Sequence, residues 1–349
     1  MIRSPRFNRA GWSLYFLSFL LLVGGASPGC VASTSIVARN TAELPAPPST
    51  AVTWFAPDDV GDTASLTRWR GSVGPPVTSQ VAADNHPYDA ITIVSWNTAV
   101  GEADVVRFVR SLPPSNRPLV LLLQEVCRGG PTVPTVLNLH AAFAGRLGAA
   151  TDLHTRQIEE IGRELGLGVY YVPSMRNGDV TSDEDRGNAI LSSLPLTDLQ
   201  AMELPFERQR RVAVAATLTG YASTGEPWRV RVVSAHLDNM AGVKRGWIGA
   251  EYGRARQARS LASRLADNEP TILGGDFNTW LGFSDQAYAE TARAFPETEA
   301  TDRRPTFRGL LRLDHVFYRL APGWRAEFQR GPSRYGSDHY PLVGSLRFN

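Results

Sequence analysis

The sequence predicts an α/β domain built around mixed β-sheet, and two features of the chain beyond residue 89 indicate this fold class. Short apolar runs typical of buried strands alternate with segments of helical periodicity, as expected when helices cover the faces of a sheet. Several neighbouring strands have no helix between them, and such strands form antiparallel hairpins. With 349 residues, 43% of them hydrophobic, the chain can bury a core of the size that this fold needs.

The predicted strands are apolar runs bounded by polar residues. They cover residues 91–94, 119–123, 188–192, 212–219, 228–235, 271–273, 313–318, 324–329 and 342–348. The predicted helices cover residues 103–112, part of 135–165, 251–266 and 284–294. The hairpin-rich segments 188–235 and 313–348 are consistent with two similar sheets packed face to face.

The N-terminus has the layout of a secretory signal rather than of a membrane span. Arginines at positions 3, 6 and 9 precede an apolar stretch from Trp12 to Val23, which is shorter than the roughly twenty residues that span a bilayer. Residues 27–30 resemble a bacterial lipoprotein cleavage site, which predicts removal of residues 1–29 and acylation of Cys30. We therefore expect an exported lipoprotein of the bacterial envelope, anchored to the membrane through Cys30, with a periplasmic or secreted protein as the alternative.

Cysteine usage and charge fit this expectation. Cys30 and Cys127 are the two cysteines of the chain, so acylation of the first leaves no pair to oxidise. A disulfide between them is the alternative, and Cys127 is otherwise predicted to be a small buried thiol. Loss of residues 1–29 removes three arginines and no acid, which changes the formal net charge from +2 to −1. A nearly neutral mature chain has no global attraction for nucleic acid.

Residues 30–88 are predicted to form a tether followed by an irregular extension. The first part is rich in alanine, proline, serine and threonine and cannot bury enough apolar surface to become ordered. Three aromatic residues, Trp54, Phe55 and Trp69, interrupt this composition, so residues 52–78 either pack on the domain or belong to the tether. The folded domain is predicted to cover residues 89–349.

Polar residues follow the apolar runs at seven points of this domain. The motifs are Ser95-Trp96-Asn97, Gln124-Glu125, Gly187-Asn188-Ala189, His236-Leu237, Gly275-Asp276-Phe277-Asn278, Leu313-Asp314-His315 and Ser337-Asp338-His339. Because they lie where strands end, we expect them to gather at the rim of one sheet. Carboxylates, two imidazoles and two amides form a set suited to holding a hard cation and hydrolysing a phosphate ester.

Glu125 is the first candidate metal ligand, because a carboxylate directly after a long apolar run must be paired, bound to metal or at the surface. Asn97 and Asp338 would complete the coordination, since Mg²⁺ favours one or two carboxylates with amide or water oxygens. Mn²⁺ and Ca²⁺ remain alternatives. A capping role at the strand end is the alternative for Glu125.

The catalytic candidates are two carboxylates, one amide and two histidines. Asp276 can orient or deprotonate a water molecule, and the amide of Asn278 can donate to a phosphoryl oxygen. Asp314 would fix the tautomer of His339, and His236 would donate to the phosphate. A turn with local hydrogen bonds is the alternative for Asp276 and Asn278, and a structural or exposed position is the alternative for each histidine.

Two further residues are candidates for contact with substrate. Arg211 belongs to an arginine cluster that can bind a phosphate through paired guanidinium bonds, although a solvated surface is the alternative. Trp247 lies in a loop of mixed basic and apolar residues, 243–248, of the kind that contacts lipid headgroups or bases at the rim of a site. A buried Trp247 is the alternative.

In this order and spacing, the motifs resemble the endonuclease/exonuclease/phosphatase superfamily over residues 89–349. The resemblance implies a four-layered α/β sandwich, with two mixed β-sheets packed face to face and flanking helices, and one divalent-metal site. It also implies Glu125 as the principal Mg²⁺ ligand, with the other roles as given above. His236 matches an imidazole of secreted deoxyribonucleases, sphingomyelinases and inositol-phosphate phosphatases that apurinic endonucleases lack. Asn188 stands where pancreatic-type deoxyribonucleases carry a glutamate, which makes it a candidate for substrate binding and argues against a close relationship to them.

The predicted function is a Mg²⁺-dependent phosphodiesterase or nuclease-like enzyme that uses in-line attack of water on phosphorus. Nucleic acid, a sphingomyelin-like phospholipid and a phosphorylated inositol or sugar remain open as substrates, so a sphingomyelinase-like enzyme and an inositol-phosphate phosphatase are alternatives. A noncatalytic binding module on the same fold is less favoured, because no expected metal ligand or histidine is missing. We expect a monomer.

Overall fold

The computed structural model describes residues 51–57, 63–83, 85–134, 156–177, 183–239, 241, 247–299 and 302–348, and for residues 247–250 the backbone alone. The predictions for the signal segment, for Cys30 and for the first part of the tether lie outside these residues. The described residues belong to one compact unit. None of the helices in these ranges is long and apolar enough to cross a membrane.

The described residues form thirteen strands and five α-helices. The strands are β1 (Thr53–Phe55), β2 (Val77–Ser79), β3 (Ala90–Asn97), β4 (Leu119–Gly129), β5 (Gly168–Asn177), β6 (Glu184–Ser192), β7 (Thr197–Glu203), β8 (Val212–Tyr221), β9 (Pro227–His236), β10 (Thr271–Asp276), β11 (Asp314–Arg319), β12 (Arg325–Arg330) and β13 (Leu342–Arg347). The helices are α1 (Thr63–Arg70), α2 (Val105–Ser111), α3 (Ile158–Leu165), α4 (Trp247–Arg264) and α5 (Gln286–Ala294).

These strands form two mixed sheets, as the sequence predicted. The six-stranded sheet has the order β1-β7-β8-β9-β10-β11, and the seven-stranded sheet has the order β12-β13-β3-β4-β6-β5-β2. Each sheet contains one central parallel pair, β9 with β10 and β3 with β4, flanked by antiparallel neighbours. The carboxyl ends of parallel strands lie on the same side of a sheet, so each pair delivers its strand ends to one edge.

Three apolar clusters define four layers. The largest fills the space between the sheets with alternate residues of their strands, such as Ile93 of β3 and Ile272 of β10. A second cluster packs α2 and α3 on the outer face of the seven-stranded sheet, and a third packs α4 and α5 on the outer face of the six-stranded sheet. This is the four-layered α/β sandwich that the resemblance implied.

The N-terminal extension differs from the prediction, because it is regular where the sequence suggested irregular structure. β1 pairs with β7 at the edge of one sheet, and β2 pairs with β5 at the edge of the other. Arg70 of α1 forms an ion pair with Glu203 at the end of β7. Residues of the predicted extension therefore belong to both sheets. Strands of three residues are too short for their alternation to be visible in the sequence.

Candidate active site

The candidate site lies where strand ends of both sheets meet. Asn97 ends β3 and is in register with Gln124 of β4. Glu125 directly follows Gln124. In the facing sheet His236 ends β9 and is in register with Asp276, which ends β10, while Asp314 begins β11 opposite Asp276. The expectation of one sheet rim is therefore wrong: each sheet supplies part of the site, because the two sheets pack face to face with these edges together.

A chain of short contacts joins the predicted residues. Glu125 Oε1 lies 3.8 Å from His236 Nδ1, and His236 Nε2 lies 3.5 Å from Asp276 Oδ2. Asp276 Oδ2 lies 3.8 Å from His339 Nε2, and His339 Nδ1 lies 2.8 Å from Asp314 Oδ2. Residues that are far apart in the sequence thus form one continuous cluster.

Glu125 lies in a β-bulge with an unusual backbone conformation. The pairing of β4 with β6 shifts register between Leu123 and Val126, and Glu125 has a φ of 56°. A left-handed conformation costs a non-glycine residue about 1–2 kcal/mol, and bulges of this kind re-aim a side chain. The carboxylate receives no hydrogen bond from the described residues, and the nearest side-chain nitrogens of Arg186 and His236 are 3.8 Å away. Its oxygens are therefore available to a ligand.

Asp276 is held by hydrogen bonds to both carboxylate oxygens. Oδ1 accepts from the backbone amide of Asn278 at 2.9 Å, and Oδ2 accepts from Asn97 Nδ2 at 2.9 Å. Burial raises the pKa of Asp276 to about 7, with the negative charge of Asp314 adding to the rise and the charge of His339 opposing it. A carboxylate of this kind is suited to accept a proton from water near neutral pH.

His339 and Asp314 form the predicted pair. Asp314 Oδ2 accepts from His339 Nδ1, since an ionised carboxylate has only acceptors. Burial alone would lower the pKa of His339, but the nearby carboxylates of Asp314 and Asp276 outweigh it and raise the pKa to about 10. His339 is therefore cationic at neutral pH, and its Nε2 proton faces the carboxylates of Asp276 and Asp338 at 3.8 Å.

The pKa of His236 is shifted in the opposite direction to that of His339. Arg211 Nη1 lies 3.1 Å from His236 Nδ1. Because a guanidinium has only donors, Nδ1 must accept, which leaves the ring proton on Nε2, facing Asp276. Burial holds the pKa of His236 well below its usual range, and the positive charges of Arg211 and Arg186 lower it further. The site therefore combines a neutral imidazole donor with a cationic one.

Two predicted amides have partners that limit their roles. The Oδ1 of Asn97 accepts from the backbone amide of Ala99 at 2.9 Å, and its Nδ2 is used by Asp276. Asn97 is thus hydrogen-bonded to Asp276, and one lone pair of Asn97 Oδ1 remains for a metal ion. Asn278 has a φ of 50° and donates from Nδ2 to the carbonyl of Leu237 at 3.0 Å. One of its amide hydrogens remains for a phosphate.

The other metal and substrate candidates lie around this centre. Asp338 is partly exposed at the rim and lies 3.5 Å from Arg308 Nη2. Asn188 of β6 is buried and donates to the carbonyl of Val212 at 2.7 Å. Trp247 begins α4, but its side chain lies outside the described residues, so its contact with substrate stays a prediction.

Arg211 is not part of a solvated surface, since only 4% of it is exposed. It lines a small pocket together with Glu125, Asn188 and His236. Arg186 lines the same pocket and is 8% exposed, and the sequence did not single it out. The available signal was its position directly before the Gly187-Asn188 motif, which is weak for an arginine.

Asp276, Asp314 and His339 also form a group that could hold a cation, because one ligand atom from each lies within 4.8 Å of the others. The short hydrogen bond between Asp314 and His339 already uses one atom of each residue. Glu125 offers the more open oxygens, at the other end of the same chain of contacts.

The model of the Endonuclease/Exonuclease/phosphatase family matches residues 94–339, and the chain belongs to this family. A UPF0294 protein of Vibrio vulnificus (strain YJ016) is 34% identical over 119 residues, which are 33% of this chain and 38% of the relative. The chain therefore spans well under half the length of the curated relatives that it matches.

The fold is shared with solved structures of other proteins, and two of them show the extent of the similarity. An endonuclease/exonuclease/phosphatase from Beutenbergia cavernae is 18% identical, with 75% of this chain and 72% of that chain covered and a TM-score of 0.52. A family protein from Leptotrichia buccalis is 14% identical, with 74% of this chain and 100% of that chain covered and a TM-score of 0.50. At these identities the likeness concerns the fold alone.

Proposed function

We propose that this protein is a metal-dependent phosphodiesterase. The observation that carries the proposal is the continuous chain of contacts from Glu125 through His236, Asp276 and His339 to Asp314. It combines an open carboxylate, a carboxylate of raised pKa and two imidazoles of different charge in one buried cluster. Strongly perturbed ionisable groups that gather in this way are typical of catalytic sites.

The residues fit a hard divalent cation such as Mg²⁺. Glu125 presents a carboxylate that accepts no hydrogen bond from the described residues, and Asn97, which donates to Asp276, keeps one lone pair of its oxygen for a cation. Asp338 Oδ1 lies 3.8 Å from His339 Nε2 and is the third candidate ligand. Oxygen donors of this kind are what Mg²⁺ prefers, and Mn²⁺ or Ca²⁺ would be accepted by the same set. When bound, the cation would polarise a phosphoryl oxygen and stabilise negative charge on the leaving oxygen.

The protein's own residues then have distinct roles. Asp276, oriented by Asn97 and by the amide of Asn278, accepts a proton from the attacking water. His339 and His236 both direct Nε2 protons towards the space beside Asp276, where they donate to the phosphoryl oxygens as charge develops. Asp314 keeps His339 charged and oriented. The arrangement supports in-line attack of water on phosphorus.

We further propose that the protein acts at the bacterial envelope as a monomer, exported and anchored through Cys30. The signal-like N-terminus supports this location, with a periplasmic or secreted protein as the alternative. Nucleic acid, a sphingomyelin-like phospholipid and a phosphorylated inositol or sugar are the candidate substrates. A noncatalytic binding module is less well supported, because the proposed catalytic residues are present together.

A hydrolysis panel tests this proposal. Plasmid DNA, RNA, sphingomyelin and inositol phosphates are offered to the wild type with Mg²⁺ and with chelator, and to Glu125→Ala, His339→Ala and the exposed control Glu327→Gln. We expect chelator-sensitive hydrolysis of at least one substrate, a loss of about 1000-fold in the two site variants, as for the removal of several kcal/mol of transition-state stabilisation, and no change in the control.

Two results would overturn it. Full activity of Glu125→Ala or His339→Ala would show that the cluster is not catalytic. Failure of the folded wild type to hydrolyse any substrate with Mg²⁺, Mn²⁺ or Ca²⁺ would favour the binding module.

A further inference from the structure

Two loops adjoin the candidate site. The first, residues 279–284, directly follows Asn278. The second, residues 303–312, forms a backbone bridge to His339 through Phe307. Because each loop begins or pairs at a residue of the candidate site, a partner that binds the exposed parts of both loops lies beside that site.

The two loops form one surface. Thr279 Oγ1 donates to the carbonyl of Arg312 at 2.9 Å, which joins the first loop to the second. Phe283 of the first loop packs against the guanidinium groups of Arg303 and Arg312, whose central carbons lie 5.0 Å and 5.7 Å from the ring centroid. We refer to the two loops together as the rim surface.

The rim surface carries a cluster of exposed apolar side chains. Six large apolar side chains are exposed in the described part of the chain, and three of them, Trp280, Leu281 and Leu310, belong to this surface. Leu281 is 60% exposed and Leu310 is 74% exposed. Scattered apolar residues are normal on a protein surface, but a cluster of them on adjoining loops is typical of an interaction site.

The exposure of Leu310 is fixed by a tight turn. Phe307 and Leu311 exchange two backbone hydrogen bonds, of 2.9 Å and 3.2 Å, and so close the segment between them. Within this segment Arg308 and Gly309 have φ angles of 48° and 73°. Left-handed conformations of this kind are typical of short hairpin turns. Leu310 is thus held at the end of a hairpin and not in an apolar core.

The rim surface also has an excess of positive charge. Residues 303–312 include four arginines and no acid, and the first loop contains no charged residue. Two of the arginines, Arg304 and Arg308, form ion pairs with nearby aspartates. The charge of the others, of which Arg303 is exposed, favours an anionic partner.

An anionic phospholipid bilayer fits both properties of this surface. Leucine and tryptophan side chains gain free energy when they enter the interface of a bilayer, and arginines are attracted by anionic headgroups. A nucleic acid would compensate the arginines, but single strands are held through aromatic rings that stack on bases, which leucine lacks. Nucleic acid would therefore leave Leu281 and Leu310 in water.

We infer that the rim surface docks on an anionic phospholipid bilayer, with the candidate site facing the headgroups. Because both loops adjoin the site, docking brings the site next to the phosphodiesters of membrane lipids, which narrows the substrate class to these lipids. This consequence rests on the proposed phosphodiesterase function, whereas the docking itself does not.

The test follows an environment-sensitive dye on the full-length chain. Cys30→Ser leaves the buried Cys127 as the one native thiol. In this background Leu281→Cys, Leu310→Cys and the control Tyr221→Cys are each labelled with nitrobenzoxadiazole. All three positions are exposed, and a thermal transition equal to that of the unlabelled chain shows that each protein is folded.

The control position lies at the other end of the six-stranded sheet. Tyr221 pairs with Pro227 at the start of β9, whereas His236 ends that strand. Each labelled protein is mixed with vesicles of phosphatidylcholine alone, or of an equal mixture of phosphatidylcholine and phosphatidylglycerol. Both vesicles are prepared with ordinary and with brominated acyl chains, because bromine quenches a dye that enters the bilayer.

We expect the dyes at positions 281 and 310 to shift their emission to the blue on anionic vesicles and to be quenched by brominated chains. The dye at position 221 should show neither effect. The N-terminal segment is the same in all three proteins, so its attachment to a vesicle cannot produce a difference between positions. Without a dye, brominated chains should quench tryptophan fluorescence less in Trp280→Phe than in the wild type.

The contribution of charge is measured with a matched pair of arginines. Arg303→Gln should lower the ratio of quenched to unquenched dye at position 310 about fivefold on anionic vesicles, as expected for one basic residue near an anionic surface. Arg347→Gln should not change this ratio, because Arg347 pairs with Ala90 at the start of β3, at the other end of that strand from Asn97.

A kinetic measurement tests the consequence for the substrate. Hydrolysis of one phospholipid by the Mg²⁺-loaded protein is compared between vesicles and a soluble short-chain form. The double variant Leu281→Ser, Leu310→Ser should be about tenfold to hundredfold slower than the wild type on vesicles, because two leucine side chains no longer enter the bilayer. Its rate on the soluble form should not change, and Tyr221→Ser should change neither rate.

Each result decides between the alternatives. Dyes at positions 281 and 310 that stay in water on anionic vesicles would overturn the docking surface, and so would equal quenching at position 221. A blue shift caused by single-stranded DNA or by rising protein concentration, in place of vesicles, would assign the surface to nucleic acid or to a second copy of the chain. Docking by a wild type that hydrolyses no substrate of the panel would leave the surface established and overturn the phosphodiesterase function.

Discussion

Arg128 of β4 and Arg186 of β6 are two buried arginines at adjacent register positions, and they differ in how completely they are hydrogen-bonded. Arg128 donates to the carboxylate of Asp185 and to the carbonyl of Pro75. Asp185, the partner of Arg128, also accepts from the hydroxyl of Tyr171 and from the backbone amide of Gly74, each at 2.7 Å. This network is complete and joins the N-terminal extension to the seven-stranded sheet. In Arg186, one step away, Nε has no hydrogen-bond partner among the described residues, and Nη1 lies 3.8 Å from Glu125 Oε2. The completely bonded pair thus stabilises the fold, whereas Arg186 lies beside the candidate site with fewer hydrogen bonds.

The largest effect is expected for a substitution at the centre of the site. Asp276→Asn should lower kcat about 100-fold to 10,000-fold, the usual contribution of a general base. The same change should raise the free energy of unfolding in chelator at pH 7. The native pKa of Asp276, about 7, lies above the usual 3.8 of the unfolded chain, so the native state loses stability as pH rises through this interval. Urea unfolding and steady-state kinetics measure the two effects.

An Asp276→Asn variant that is less stable than the wild type at neutral pH would contradict this prediction. It would place Asp276 with Arg128 and Asp185 among the residues that hold the fold. Unfolding at pH 4, where the difference should nearly vanish, is the internal control.

The second effect concerns the complete network. Arg128→Met should lower the free energy of unfolding by about 3–5 kcal/mol, because the buried carboxylate of Asp185 loses its charged partner. Activity per folded molecule should not change, since Arg128 contacts none of the proposed catalytic residues in the described structure. Urea unfolding followed by kinetics on the folded fraction measures both. If Arg186→Met were equally destabilising, the distinction between the two arginines would be lost.

The smallest effect concerns a third buried histidine, outside the chain of catalytic contacts. His315 lies 2.8 Å from Thr279 Oγ1, and burial, with the charge of Arg312 adding to it, holds the pKa of His315 well below its usual value. The unfolded chain therefore takes up this proton first, and stability falls as pH drops below about 6.5. Between about pH 7.5 and 5.5 the wild type should lose about 1 kcal/mol more than His315→Gln.

His86→Gln provides the matched control, because it removes an exposed histidine instead of a buried one. Equal pH dependence of the wild type and His315→Gln would show that His315 does not titrate below its usual range.

Much of the fold was predictable because its central strands are apolar runs with distinct ends. The strands that carry Asn97, His236, Asp276 and Asp314 all begin or end close to the predicted positions. Order and spacing of the polar motifs then sufficed for the fold family. These signals are local, and the sequence contains them in full.

The remainder depends on contacts between distant segments. No clear strand pattern is visible in the sequence of β5, which is buried along its whole length and contains Pro173, or of β7, whose polar residues lie near a sheet edge. The left-handed backbone of Glu125 arises from the register shift against β6. In the sequence, Arg186 resembles a surface residue. In the structure it is buried on β6, which pairs with β4 on one side and with β5 on the other.

The division of the site between two sheets has a consequence for how function is lost. Gln124 of one sheet donates to Ser234 of the other at 2.9 Å, directly beneath the residues that converge on the site. A small slip of one layer over the other would separate Glu125 from His236 while leaving every strand intact. On heating, the proposed hydrolytic activity should therefore be lost before secondary structure is lost. Activity then reports on the alignment of the two sheets.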